Sequence, residues 1–357
     1  MTASQTLRRL VAPLVDPAVY DFWAQKLSPT LSWDRCLARV VDRQITARDT
    51  VSLILRPNGH FRGFLPGQHL NVTVEVNGRR VTRSYSPSDT PRPDGTVRLT
   101  IKAIPGGRVS QHLVHHTRVG DVLELGAAFG DMTLPAESAA WLFVAAGSGI
   151  TPIMSLLGML TRQPLQQPVT LVYWARTRAD LCFIDTLARL SAAQPLLQVH
   201  TVLTREPAPL SHELTGRPSE GLFRQLVPDL ERRRVVCCGP FGFVEQVRSL
   251  LGDQAARFQA EAFTPAPAQT TPGAPVMVTL ARSQVTVQIP SGMPLLEALE
   301  AQGLTPAYGC RMGICNTCSC QKHAGTTTDT RNGTTQEEPG PVRLCINSAS
   351  SDLTLDL

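Results

Sequence analysis

No apolar run of about 18 residues occurs in the 357-residue chain, so the sequence predicts no transmembrane helix. Basic runs of five or more are also missing, and a formal net charge of +5 gives nucleic-acid binding no compositional support. The opening MTASQTLRRLVAPLVDP is broken by Pro13 and Asp16 and lacks the apolar core of a signal peptide. The expected location is therefore a reducing compartment, the cytoplasm. There is no H-E-x-x-H and no set of histidine boxes, so the chain does not itself carry a histidine-held di-iron centre. No internal repeat is visible. What remains is a chain with 42% hydrophobic and 18% charged residues, enough for real cores across two to three domains. Its 26 Gly and 28 Pro predict many turns and at least one linker.

Without an export signal, the nine cysteines are expected as thiols or metal ligands rather than disulfides. Cys310-x4-Cys315-x2-Cys318, followed by the distant Cys345, has the spacing of a plant-type [2Fe–2S] site. Such a loop lets three thiolates converge on an iron pair while a separate segment brings the fourth. Gly313 allows close approach, and backbone N–H groups can point at the sulfurs. A zinc site would pair C-x2-C with a second C-x2-C or with H-x3-H, and neither is present. Cys320 has no place in the pattern.

Residues 264–275, TPAPAQTTPGAP, read as a semi-rigid linker. Residues 276–357 beyond it open with a hairpin, VMVTLARSQVTVQIP, then the short helix PLLEALEAQG ending at Gly303, the cysteine loop, a polar stretch and RLCIN. This module carries 5 basic and 7 acidic residues, whereas the rest is basic. Residues 34–134 hold six short alternating runs separated by turn residues, predicting a small antiparallel β-barrel. Residues 135–263 hold near-continuous apolar strands, WLFVAA, VTLVYWA, LQVHTVL and RRVVCC, with helical patterns between them, predicting a parallel α/β sheet. In residues 1–33, Asp16 and Pro17 start a helix on which Val19, Phe22, Trp23 and Leu27 share a face. That face either packs on the barrel or meets a partner or a membrane.

WLFVAA runs into Gly147-Ser-Gly-Ile-Thr-Pro and a helix, and RRVVCC into Gly239-Pro-Phe-Gly and a helix. Glycine turns after parallel strands expose helix N-termini to phosphate and define one crevice. Upstream stand Arg83-Ser-Tyr-Ser86 and the segment 106–113, GGRVSQHL. An arginine can pair a pyrophosphate, a tyrosine can lie flat on a ring system, and a serine can hydrogen-bond a ring nitrogen. Arg176 and Arg178 follow the strand VTLVYWA, Arg205 follows QVHTVL and Arg217 follows a turn at Gly216, at the edge where an adenosine 2′-phosphate would lie. Cys238 has no histidine near it in sequence, so a buried wall residue is favoured over a nucleophile. His115-His116 reads as a surface pair.

In order, R-x-Y-S, G-x-x-S, GSGITP and C-G-P, followed by the cluster spacing, resemble the ferredoxin–NADP reductase superfamily. From about residue 34 the chain looks like a three-domain flavin/iron–sulfur reductase, with the domain order of the phenylacetyl-CoA epoxygenase and phthalate dioxygenase reductases. The resemblance implies a β-grasp ferredoxin fold for residues 276–357. It implies Arg83 on the flavin diphosphate, Tyr85 and Ser86 on the isoalloxazine, and Gly107, Val109 and Ser110 over the pyrophosphate. It implies Gly147, Gly149 and Thr151 along the nicotinamide nucleotide, with Gly239 and Pro240 opposite and Phe263 over the flavin. Ser86, Thr151 and Cys238 are thereby implied at the hydride-transfer site. Segment 106–113 is similar to FAD-type loops, so FAD is expected before FMN. The run YWAR, TRE, TGR resembles bacterial flavodoxin (ferredoxin)–NADPH reductases, so NADPH is expected before NADH.

The expected activity is NAD(P)H-dependent electron transfer through flavin and [2Fe–2S] to an oxygen-activating partner. The N-terminal YDFW…LSW text resembles reductases that serve membrane fatty-acyl desaturases, which implies a membrane-bound partner and a peripheral position at the inner face of the membrane. The rival expectations are the reductase of a soluble ring-hydroxylating or epoxidising oxygenase, a diaphorase for diffusible carriers, and a redox sensor.

Overall fold

The computed structural model describes residues 16–135, 137–206, 213–264 and 273–357. Arg8 and Arg9, the basic residues that precede the N-terminal aromatics, and most of the expected linker lie outside the described residues. By packing, the chain divides into two units. One holds the chain up to residue 136 with Ile150–Leu165 and Thr177–Gln194; the other holds Glu137–Gly149, Gln166–Arg176 and Pro195–Leu357.

The first unit opens with α1, Pro17–Leu27, capped by Asp16, whose Oδ1 accepts from Ala18 N at 2.8 Å. Its apolar face is not packed as one of the two readings expected. Val19, Phe22, Trp23 and Leu27 are 56–86% exposed, and only Ala24 is buried. The helix is tied down by polar bonds instead: Asp21 accepts from Ser32 Oγ at 2.7 Å and from Trp33 N at 2.6 Å. Trp33 therefore sits edge-on to Tyr20, at 5.2 Å, apart from the exposed aromatics. The six expected barrel strands follow: β1 (Leu37–Ala47), β2 (Thr50–Pro57), β3 (His69–Val76), β4 (Arg79–Tyr85), β5 (Val97–Lys102) and β6 (Val122–Phe129), with α2 (Arg108–His115) between the last two. They pair antiparallel in the order β4-β3-β6-β1-β2-β5, and a single bridge, Pro87 to Leu99, joins the two ends. Val40, Leu53, Leu55, Leu70, Val72 and Leu99 are fully buried within it. This unit also holds α3 (Ile150–Leu160), whose Ser155 Oγ donates to Asp89 O at 2.7 Å, and α4 (Ile184–Ala193).

The second unit holds the parallel sheet: β7 (Trp141–Ala146), β8 (Val169–Ala175), β9 (Leu197–Leu203), β10 (Glu213–Thr215), β11 (Arg234–Gly239) and β12 (Arg257–Ala262). Helices α5 (Glu220–Leu226) and α6 (Phe241–Leu251) flank β11 in the chain. β8 is buried along its whole length, which explains its unbroken apolar text. The order β10-β9-β8-β7-β11-β12 changes direction at β7, so the turns after β7 and β11 emerge side by side at one edge. The edge strands β10 and β12 were not foreseen, because three residues carry no alternation and RFQAEA is half polar.

In the C-terminal module β13 (Gly273–Leu280) pairs with β14 (Val285–Ser291) as the expected hairpin, but β13 starts inside the segment expected as linker. Helix α7 (Leu295–Ala301) follows, then β15 (Ser319–Ala324), β16 (Thr327–Asp329), β17 (Thr335–Gln336), β18 (Gly340–Arg343), β19 (Asn347–Ala349) and β20 (Leu353–Leu355). The five-stranded sheet runs β14-β13-β20-β15-β18, and a three-stranded one runs β17-β16-β19. The polar stretch after the cysteine loop thus contains two short strands. Lys322 on β15 is fully buried there, with Nζ donating to the carbonyls of Gly325, Gln336 and Glu337 at 2.6, 2.6 and 2.9 Å.

Candidate functional site

The cysteine loop lies between α7 and β15, and Cys345 follows β18. The thiols meet in two pairs. A hydrogen bond between Cys310 and Cys315 pulls Cys315 down and pushes Cys310 up, and a bond between Cys318 and Cys345 does the same to Cys318 and Cys345. Backbone amides aim at these sulfurs. Cys310 Sγ accepts from the N–H of Met312, Ile314 and Cys315 at 3.3, 3.3 and 3.4 Å, and Cys315 Sγ accepts from Cys310 N at 3.2 Å. Gly313 donates to Cys345 as well. Among the described residues no three His, Cys, Asp or Glu side chains gather as a single-ion site would need. Two pairs of soft thiolates, each wrapped by amides, fit a two-iron cluster. Cys320 lies on β15 opposite Val342 of β18 and packs against the module's core, and burial pushes its thiol up to about 12.

At the sheet edge, β7 passes through a 3-10 turn, Gly147–Gly149, into α3. Gly147 has φ +55°. Gly149 is needed for another reason: a Cβ there would lie 2.1 Å from Cys238 O, so two backbones touch. Cys238 is fully buried, and burial followed by the Glu261 charge pushes its thiol well up. A thiol held protonated in this way is a poor nucleophile. Cys237 is core. Pro240 caps α6, and Phe263 N donates to Gly239 O at 2.8 Å, which sets Phe263 beside the second glycine turn. Thr151 is buried in the first turn of α3. Arg176, Arg205 and Arg217 are all exposed and follow β8, β9 and β10. Their loops are stitched together: Arg205 N donates to Arg176 O at 2.9 Å, and Trp174 Nε1 to Gly216 O at 3.2 Å.

On the barrel, Arg83 and Tyr85 end β4. Arg83 Nη1 donates to Thr82 O at 2.8 Å, and burial outweighs the Arg83 charge to push the Tyr85 phenol up. Ser86 Oγ lies 2.7 Å from His69 Nδ1, both residues being buried. His69 sits in no motif; only the β3–β4 pairing brings it to Ser86. Gly107 caps α2, and a Cβ there would meet Ser110 Oγ at 2.4 Å. Ser110 Oγ is occupied by Ile104 N and Gly107 O, both at 3.3 Å, and Val109 lies in the barrel core. What this turn offers a phosphate is therefore backbone N–H rather than the Ser110 hydroxyl. His115 and His116 are exposed.

Residues 37–133 match the oxidoreductase FAD-binding domain, residues 143–249 the oxidoreductase NAD-binding domain, and residues 278–346 the 2Fe-2S iron-sulfur cluster binding domain. The NADPH oxidoreductase of Mycobacterium tuberculosis is 33% identical over 98% of this chain and 92% of its own length. The chain belongs to the ferredoxin–NADP reductase superfamily. The glycine betaine monooxygenase reductase subunit of Chromohalobacter salexigens is 27% identical to this reductase over 82% of the chain and 87% of its own. Phthalate dioxygenase reductase shares the fold, with a TM-score of 0.62 at 24% identity over 90% of this chain and 97% of its own. The reductase is an oxidoreductase that uses FAD, a nicotinamide nucleotide and a [2Fe–2S] cluster for electron transfer, like the reductase components of oxygenases. No helix among the described residues is long and apolar enough to cross a membrane.

Proposed function

We propose that this reductase takes electrons from NADPH and delivers them singly to a membrane-bound oxygen-activating enzyme, with a di-iron acyl desaturase as the first choice. Bound FAD and [2Fe–2S] supply the conversion of a two-electron hydride into single electrons. The chain's own residues position and shield. Arg83 and the turn at Gly107, through the amides of Val109 and Ser110, hold the FAD diphosphate. Tyr85 and Ser86 line the isoalloxazine, and His69 fixes the Ser86 hydroxyl. Gly147, Gly149 and Thr151 line one side of the nicotinamide nucleotide, and Gly239 and Pro240 the other. Cys238 keeps the contact small and uncharged, and Phe263 covers the flavin. Cys310, Cys315, Cys318 and Cys345 hold the cluster.

The NADPH preference is carried by Arg176, Arg205 and Arg217, three exposed guanidinium groups on stitched loops at the ends of β8, β9 and β10. Arginine suits a 2′-phosphate because its fork pairs two oxygens at once. Arg205→Ala should raise the NADPH KM about tenfold, roughly 1.4 kcal/mol, and leave that for NADH unchanged. An unchanged NADPH KM, or a higher kcat/KM with NADH, would reverse the assignment.

The membrane partner is carried by the exposed face of α1, where Trp23 is 66% and Leu27 86% exposed and Lys26 Nζ lies 5.3 Å from the Phe22 ring. Aromatics beside a cation suit a lipid–water interface. The double variant Phe22→Ser/Trp23→Ser should lose most electron delivery to a membrane desaturase while cytochrome c reduction stays near normal. If neither activity falls, a soluble oxygenase becomes the better partner; the Chromohalobacter salexigens relative is by name the reductase subunit of a monooxygenase.

A further inference from the structure

Gly313 is where the two ligand-bearing segments touch. Its φ is +73°, and a Cβ there would lie 2.5 Å from Ile346 Cδ1, so the cysteine loop presses on the residue after Cys345. Arg343, two residues before Cys345, reaches back from the end of β18 and donates from Nη1 to Gly313 O at 2.5 Å. Its own carbonyl is fixed by Asn347 Nδ2 at 3.0 Å. A trans peptide unit is planar, with C=O and N–H on opposite sides. The N–H that shares a plane with the Gly313 carbonyl is that of Ile314, and it donates to Cys310 Sγ at 3.3 Å. One rigid peptide therefore has a guanidinium at one end and a ligand sulfur at the other.

We propose that Arg343 is a positioning residue that sets the reduction potential of the cluster through the Gly313–Ile314 peptide. This rests on the four cysteines being cluster ligands. A cation on the carbonyl polarises the amide and strengthens its bond to sulfur. Hydrogen bonds to the sulfurs are one of the levers that set a cluster's potential, and they favour its more negative, reduced form. Two further arginines near the loop are engaged elsewhere. Arg331 feels the charges of Cys345 and Cys310 but bonds Asp329 at 2.7 Å. Arg311 pairs with Glu300 and lies 4.0 Å over the Tyr308 ring. Only Arg343, among these three, bonds the carbonyl of a peptide that donates to a sulfur.

The test is potentiometric titration of the holoprotein, read by electron paramagnetic resonance, with Arg343→Met, Arg343→Lys and Arg331→Met. At a fixed potential, Arg343→Met should lower the ratio of reduced to oxidised cluster about 3- to 10-fold, which is ~30–60 mV at 59 mV per tenfold for one electron. Arg343→Lys should recover part of that ratio, and Arg331→Met should move it by less than half as much. Equal shifts for Arg343→Met and Arg331→Met would overturn the proposal, because bare charge would then explain both. No shift in Arg343→Met would overturn it too. So would loss of the irons from both Arg343 variants, since the arginine would then hold the site shut rather than tune it. A wild-type protein without a cluster signal would instead remove the cluster assignment itself, before any variant is read.

Discussion

At Gly313 and at Gly149 the chain excludes a side chain, and the two exclusions differ in kind. Gly313 has a left-handed φ and faces the side chain of Ile346; Gly149 faces the carbonyl of Cys238, a backbone atom that has nowhere to go. The first requirement is local, set by a loop that must curl its amides around sulfur. The second is set by a strand nearly ninety residues away in sequence. A loop site can therefore be read as a spacing, whereas a sheet-edge site exists only after the strands have been put in order.

Three substitutions sharpen this contrast. Cys345→Ala should have the largest effect, because it leaves one thiol of the Cys318 pair without its partner. Both irons should be lost while NAD(P)H still reduces the flavin, and Cys320→Ala should keep both. Iron analysis beside visible absorption decides it, and two irons per chain in Cys345→Ala would refute the ligand set. Gly149→Ala comes next. With a Cβ 2.1 Å from a carbonyl, the strands must part, at a cost of about 3 kcal/mol. Thermal unfolding should show that loss together with weakened nucleotide binding and an unchanged iron content. Gly313→Ala should be the mildest, about 2 kcal/mol for a left-handed residue, because a side chain rather than a backbone must give way. The cluster should assemble and be lost faster to a chelator. If Gly313→Ala proved costlier than Gly149→Ala, the contrast would be wrong.

The same division explains what was legible beforehand. The cysteine spacing, the six barrel strands and the four long parallel strands were readable because spacing, alternation and apolar runs are local properties. Gly147 was readable as a turn, but the reason for Gly149 was not, since Cys238 O arrives only through the β7–β11 pairing. His69 and Arg343 carry no motif; each reaches its partner across strands or segments. The face of α1 was ambiguous in sequence because Val19, Phe22, Trp23 and Leu27 would look the same whether buried or bare. Asp21 decides it, by fastening the helix from its polar side.

The three carbonyls around Lys322 have a practical consequence. The chain has only three lysines. Lys26 lies on the exposed helix, Lys102 shares its ammonium with Asp180 at 2.8 Å, and Lys322 has no accessible surface. Amine-reactive labelling followed by mass spectrometry therefore becomes a clock with one hidden hand. Lys26 marks the start of the reaction, and modification of Lys322 records the moment at which the ferredoxin module opens, without any dye, mutation or engineered probe.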